Sequence, residues 1–258
     1  MLLFVPSLLT SLLAPNFAAT YGLYIPQQTL LAHMHFFLKA IIVGTSWILA
    51  YFAMKNLPIT IVGPIRASSP FWTLIGAVII FNEQFTALQW IGIVVTLTSY
   101  YAFALVGKKE GIHFSTNKWV YMIILATIIG AISGLYDKYL LVRYDRLAVQ
   151  AWFSVYLVVF YLPILIFLWY PARQKHTPFQ WRYAIFFIGL FLILADYAYF
   201  YALSYSDSLI GVIASLRRGS VVISFFVGAM IFKDKNLRSK KYVLAGILLG
   251  VLLIYLGS

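Results

Sequence analysis

Seven charged side chains lie inside the long apolar runs of this sequence, and they are the residues best placed to carry chemistry. They are Lys39, Arg66, Asp137, Lys138, Asp196, Arg217 and Arg218. Placing a charge in lipid costs about 3 kcal/mol or more, so each must face a polar interior, water or a partner. The five cations outnumber the two carboxylates. This excess favours an anionic or zwitterionic solute over a cation.

Two of the apolar runs carry an arginine within a stripe of small and hydroxyl-bearing residues. One copy consists of Gly63, Arg66, Ser69, Thr73 and Ala77, and the other of Ala214, Arg217, Ser220, Ser224 and Gly228. At helical spacing each copy covers about 120° of one face. We expect the stripes to line a central cavity; tight helix packing, with the arginines in structural ion pairs, is the alternative. The predicted solute-binding residues are Arg66, Arg217, Arg218, Ser69, Ser220, Ser224, Thr73 and Lys39.

The two carboxylates are candidates for coupling transport to a proton. Asp196 is the stronger, because burial in apolar surroundings favours the neutral, protonated form of a carboxyl group. A fixed ion pair between Asp196 and Arg217 or Arg218 is the alternative. Asp137 lies near the end of an apolar run, where its side chain could instead reach the membrane interface.

The elements that position these residues are membrane-spanning helices. The chain is 63% hydrophobic and 10% charged, whereas a soluble domain has about 25% charged residues. In lipid the backbone must satisfy its own hydrogen bonds, and unbroken apolar runs of about 20 residues indicate helices rather than barrel strands. We predict an all-α, polytopic membrane helix bundle. Its nine predicted spans are 2–15, 34–54, 59–81, 87–107, 119–141, 149–170, 183–204, 209–232 and 242–257.

The sequence repeats itself at an offset of 151 residues. Ile80-Phe81-Asn82-Glu83 aligns with Ile231-Phe232-Lys233-Asp234, and Arg66 aligns with Arg217. We therefore predict a first repeat over 1–107, a connecting loop over 108–118 and a second repeat over 119–258. Span 119–141 has no counterpart in the first repeat, so a ten-helix fold lacking its first helix is expected. A genuine nine-span protein is the alternative.

Several short motifs resemble those of the EamA-type family of the drug/metabolite transporter superfamily. They are Ser69-Pro70, Phe81-Asn82-Glu83, Gln89-Trp90-Ile91-Gly92 and Gly134-Leu135-Tyr136-Asp137-Lys138, with Asp234 and Gly250 in the second copy. The resemblance implies ten helices arranged as two inverted repeats of five. One departure is Asn82, which stands where the family usually has a small residue.

The predicted function is secondary transport of a small anionic or zwitterionic metabolite, such as an amino acid or carboxylate. It would work by alternating access, in the export direction, in the inner or plasma membrane. A flippase for a lipid-linked anionic substrate is the nearer alternative. An intramembrane enzyme is the more distant one, because HExxH, GxSxG and phosphate-binding loop motifs are absent from the sequence. We predict no cofactor, metal or nucleic-acid partner, and leave open a homodimer.

Overall fold

The computed structural model describes residues 24–57, 62, 65–66, 68–106, 117–172, 180–205 and 207–217, with 245–246, 249–250, 252–254 and 256–257. All regular structure within these ranges is helical, as predicted. The longer helices are α1 (Leu30–Asn56), α2 (Ser69–Phe81), α3 (Ala87–Val106), α4 (Lys118–Leu141), α5 (Arg146–Ile164), α6 (Tyr183–Leu203) and α7 (Ile210–Arg217).

Four of the described segments are long and apolar enough to cross a bilayer. They are Leu30–Asn56, Lys118–Leu141, Arg146–Trp169 and Ile185–Leu203. Only 6% of the most apolar stretch of Ile185–Leu203 is buried within the protein. Exposing such a surface to water would cost about 25 cal/mol per Å², whereas lipid solvates it. The protein is therefore embedded in a membrane through several helices.

Hydropathy located the interior helices well, but it does not settle their total number. The predicted spans 34–54, 87–107, 119–141 and 183–204 correspond to α1, α3, α4 and α6 to within a few residues. The predicted span 2–15, most of the span 209–232 and part of the span 242–257 lie outside the described residues. The nine-span count and the two inverted repeats therefore stay predictions.

The predicted span 59–81 is interrupted just before Pro70. The chain turns at Ser68, whose hydroxyl donates a hydrogen bond of 2.7 Å to the carbonyl of Ile65, and α2 begins at Ser69. Pro70 then stands in the first turn of α2, where its missing N–H removes no helical hydrogen bond. Helix α2 thus begins one residue before Pro70, and the turn at Ser68 lies just upstream of it.

Prolines also shape the end of α5. Pro163 lies inside the helix, which then widens into a π-helical turn over Leu165–Trp169. At the end of this turn the N–H of Tyr170 donates to the carbonyl of Leu165. A proline supplies no N–H to the helical ladder and crowds the preceding turn, so a local change of hydrogen-bond register accommodates it.

The chain forms two compact units. Unit 1 contains Met1–Gly44 and Tyr136–Ser208, and unit 2 contains Thr45–Leu135 and Leu209–Ser258. The core of unit 1 is built on the buried residues Ala32, Phe36, Leu140, Val149 and Phe200. One core of unit 2 is built on Ala50, Ala53, Leu57, Val62, Val120, Ile123 and Ala126. The repeat boundaries 1–107 and 119–258 divide the sequence in another way and stay a prediction.

Glycines bring α3 of unit 2 into backbone contact with helical residues near the end of the chain. A Cβ added to Gly92 would lie 2.7 Å from the carbonyl oxygen of Gly250. A Cβ added to Gly250 would lie 2.8 Å from the carbonyl oxygen of Gly92 and from the backbone nitrogen of Thr96. Helices in lipid associate through such close contacts, because no hydrophobic effect drives them together. The motif glycines Gly92 and Gly250 are therefore packing residues.

We predict that Gly250→Leu lowers the thermal unfolding temperature and the yield of monodisperse protein in detergent. The added side chain must displace backbone rather than flexible atoms, at a cost of about 1–3 kcal/mol or more. Gly189→Leu on α6 is the matched control, because nothing lies within 4 Å of a Cβ at that position. Equal unfolding temperatures for the two variants would contradict the close glycine contact.

Candidate functional site

A buried ion pair between α1 and α4 lies at the centre of the polar interior of unit 1. The Nζ atom of Lys39 pairs with a carboxylate oxygen of Asp137, and the two side chains are 3% and 6% exposed. The same Nζ atom lies 4.9 Å from the ring centroid of Phe153 and 5.8 Å from that of Phe200. Aromatic faces stabilise a desolvated cation. The lysine charge is thus held by one carboxylate and two rings.

The sequence is compatible with two environments for Asp137, the protein interior and the membrane interface. The structure places this side chain in the interior. Its neighbour Lys138 points elsewhere and donates a hydrogen bond of 2.8 Å to the carbonyl of Ser208. Adjacent residues on a helix point about 100° apart, which explains why these two charges have separate roles. Lys138 anchors the segment that follows α6.

Two histidines of α1 lie among aromatic residues of the same unit. Nδ1 of His35 is 2.8 Å from the hydroxyl of Tyr144, and Nδ1 of His33 is 3.0 Å from that of Tyr156. The ring of His33 also meets Trp152 edge to face, with centroids 4.5 Å apart. His35 is one helical turn before Lys39, so α1 presents polar groups over successive turns.

Two further buried polar groups lie in unit 1, those of Gln150 and Tyr136. Gln150 on α5 is 1% exposed, and its Nε2 donates to the carbonyl of Ile193 over 3.2 Å. Its Oε1 atom and the hydroxyl of Tyr136 are buried without a hydrogen-bond partner. Such groups cost about 1–3 kcal/mol each when unsatisfied.

The predicted arginine stripe of unit 2 is only partly described. Thr73 is buried and donates to the carbonyl of Ser69 over 3.2 Å, while Ser69 and Arg66 are half-buried. Arg217 ends α7 with an exposed side chain that has an interaction partner. Arg218, Ser220 and Ser224 lie outside the described residues. The cavity wall and its binding role stay predictions.

Asp196 is half-buried on α6 in unit 1 and has an interaction partner. Its predicted coupling role stays a prediction. Over the part of the chain that the structure describes, no group of three or more His, Asp or Glu side chains is arranged to hold a metal ion.

The acidic residue of the Phe81-Asn82-Glu83 motif caps a helix. Glu83 is 7% exposed, and its two carboxylate oxygens accept hydrogen bonds from the backbone N–H groups of Ile210 and Gly211 over 2.8 and 3.3 Å. A carboxylate there satisfies two free donors and complements the helix dipole at the start of α7. Glu83 therefore holds α7 in place within unit 2.

The family model described as the EamA-like transporter family matches residues 1–105 and 117–256. The chain belongs to the EamA-like transporter family. Members are membrane transporters of small solutes rather than enzymes, which agrees with a multi-pass chain whose polar groups lie inside apolar helices. No curated protein matches the chain.

The backbone conformation at Asn82 explains how this residue fits a position where the family motif usually has a small residue. Asn82 ends α2 in the left-handed conformation, with φ of 52°. Glycine reaches this region at no steric cost, and asparagine is the side chain that most readily replaces it. Asn82 thus keeps the turn that directs Glu83 toward α7.

We predict that Glu83→Ala lowers the unfolding free energy by about 1–3 kcal/mol, because two buried N–H donors lose their acceptor. Asn82→Gly should unfold at about the parental temperature, since glycine also adopts the left-handed turn. Thermal unfolding in detergent measures both variants. A Glu83→Ala protein as stable as the parent would rule out the capping role.

Proposed function

We propose that this EamA-like protein is a secondary transporter that exports a small anionic or zwitterionic solute by alternating access. Family membership supports transport of a small solute. The excess of cations in the apolar runs supports the charge class of that solute. Arg66 and Arg217 orient the solute. Arg218 and the hydroxyl-bearing residues of the two stripes also bind it. Asp196 carries a proton or pairs with an arginine.

The buried pair of Lys39 and Asp137 is the observation that carries the charge class. A well-packed apolar pair of similar volume is often as stable as a buried ion pair, so stability alone gives little reason for one. Two opposite charges side by side match a solute that has a carboxylate and an ammonium. The carboxylate replaces Asp137 as the partner of Lys39, and the ammonium replaces Lys39 as the partner of Asp137.

The surroundings of the pair suit such an exchange. The rings of Phe153 and Phe200 lie near the lysine cation and can also receive an ammonium group or an apolar side chain. The unsatisfied Tyr136 hydroxyl and Gln150 Oε1 atom provide a donor and acceptors within the same unit. An anion without an ammonium would take Lys39 from Asp137 and offer that carboxylate no cation in exchange, so a zwitterion is favoured.

We predict that Lys39→Met lowers the unfolding free energy by about 3–5 kcal/mol, because Asp137 keeps a buried charge without its cation. The double variant Lys39→Met/Asp137→Leu should regain most of that loss. Lys118→Met, which removes an exposed lysine at the start of α4, is the control and should change stability little. Chemical unfolding in a fixed detergent gives the comparison. A double variant as unstable as Lys39→Met would show that the two charges do not compensate each other.

The substrate class is tested by thermal shift on purified protein with amino acids, carboxylates, phosphorylated metabolites and organic cations. A ligand raises the unfolding temperature as its concentration exceeds Kd. We expect amino acids or carboxylates to stabilise the parent, and Arg217→Ala to lose the response. Stabilisation by organic cations alone would reverse the charge assignment. Stabilisation by phosphorylated metabolites alone would favour a flippase for a lipid-linked phosphate.

A further inference from the structure

Arg146, at the start of α5, is held against tyrosine rings of α6 at the edge of unit 1. Its guanidinium carbon is 4.8 Å from the ring centroid of Tyr197 and 4.6 Å from that of Tyr201. Its Nη2 atom makes a long hydrogen bond of 3.5 Å to the hydroxyl of Tyr197. These tyrosines are one helical turn apart, so they present adjacent rings to the guanidinium.

A third tyrosine continues this group. The hydroxyl of Tyr205 donates a hydrogen bond of 2.7 Å to that of Tyr201. This bond raises the pKa of the Tyr205 phenol, and the charge of Arg146 acts in the opposite direction. The guanidinium and three phenol hydroxyls form one donor-rich group, which we name the tyrosine clamp.

Within the part of the chain that the structure describes, the cation of the tyrosine clamp has an acceptor for Nη2 but none for Nη1. Nη1 of Arg146 is buried without a hydrogen-bond partner. The carboxylate next to it in the chain, Asp145, is the N-cap of α5 and accepts from the N–H of Ala148 over 3.0 Å. An unsatisfied charged donor costs more than a neutral one. The arrangement therefore favours an added anion that accepts from the guanidinium.

The position of the clamp indicates where that anion comes from. It lies at the ends of two membrane-crossing segments, Arg146–Trp169 and Ile185–Leu203. The clamp tyrosines are 42–58% exposed, and farther along α6 the apolar residues Phe187, Phe191 and Leu194 are 51–64% exposed. Helical spacing puts those residues on the clamp side of α6. Tyrosine is enriched at this depth of a bilayer, beside the lipid headgroups.

We propose that the tyrosine clamp binds the phosphate of an anionic glycerophospholipid whose acyl chain lies along the exposed face of α6. The planar guanidinium donates to the phosphate oxygens. The hydroxyls of Tyr197 and Tyr201 add neutral donors, and Phe187, Phe191 and Leu194 contact the chain. This site is separate from the Lys39–Asp137 pair. Lipid binding there does not depend on which solute the protein transports.

Native mass spectrometry of the detergent-purified protein, titrated with phosphatidylglycerol, tests the assignment. Arg146→Gln should bind the lipid roughly tenfold more weakly than the parent, since loss of one charged hydrogen-bond donor is worth about that factor. Arg182→Gln removes an exposed arginine at the N-cap of α6, the end of that helix away from Tyr197 and Tyr201, and should bind like the parent. Arg146→Lys should fall between, because an ammonium keeps the charge but not the planar fork.

Tyr201→Phe provides a second variant in case Arg146→Gln does not fold, and it should weaken lipid binding without removing charge. Phosphatidylcholine and inorganic phosphate are the comparison ligands, and both should bind more weakly than phosphatidylglycerol. Equal lipid binding by Arg146→Gln and Arg182→Gln would overturn the site. Equal binding of inorganic phosphate and phosphatidylglycerol would overturn its assignment to a lipid.

Discussion

The interior of unit 1 depends on the compensation of one buried charge by another. Lys39 and Asp137 belong to helices that are mostly apolar, and both side chains are almost fully buried. Removing either leaves a charge in a low-dielectric environment, which costs far more than the pair itself contributes. The pair therefore fixes which faces of α1 and α4 meet in this unit. It also keeps two opposite charges available in one place without preventing insertion of the helices into lipid.

The motif residues that connect the chain to its family mainly control the backbone. Asn82 supplies a left-handed turn, Glu83 caps α7, and Gly92 and Gly250 allow close helix contact. In lipid, every free N–H and C=O group must find a partner within the protein, so such residues decide whether the fold forms. The residues proposed to bind the solute overlap with these motifs at Tyr136 and Asp137, whereas Lys39 lies outside them.

The sequence predicted the helices better than the contacts between them. Hydropathy finds α1, α3, α4 and α6 because each helix satisfies its own backbone and needs about 20 apolar residues. The partner of Asp137 was not predicted, because a helix pattern gives the face of a residue but not which distant helix covers it. Gln150 and the histidine–tyrosine contacts of His35 escaped notice for a related reason. In a chain with 18% aromatic residues, no single ring stands out.

The central claim is that the Lys39–Asp137 pair binds the solute in addition to joining α1 to α4, and transport by a neutral version of the pair tests it most directly. The double variant Lys39→Met/Asp137→Leu should insert and remain folded, because apolar residues of similar volume replace the ion pair. It would be reconstituted into liposomes beside the parent and assayed for uptake of the labelled amino acid or carboxylate that stabilises the parent. The account predicts uptake by the parent and none by the folded double variant. Uptake at the parental rate by that variant would show that the pair is structural and that the solute binds elsewhere.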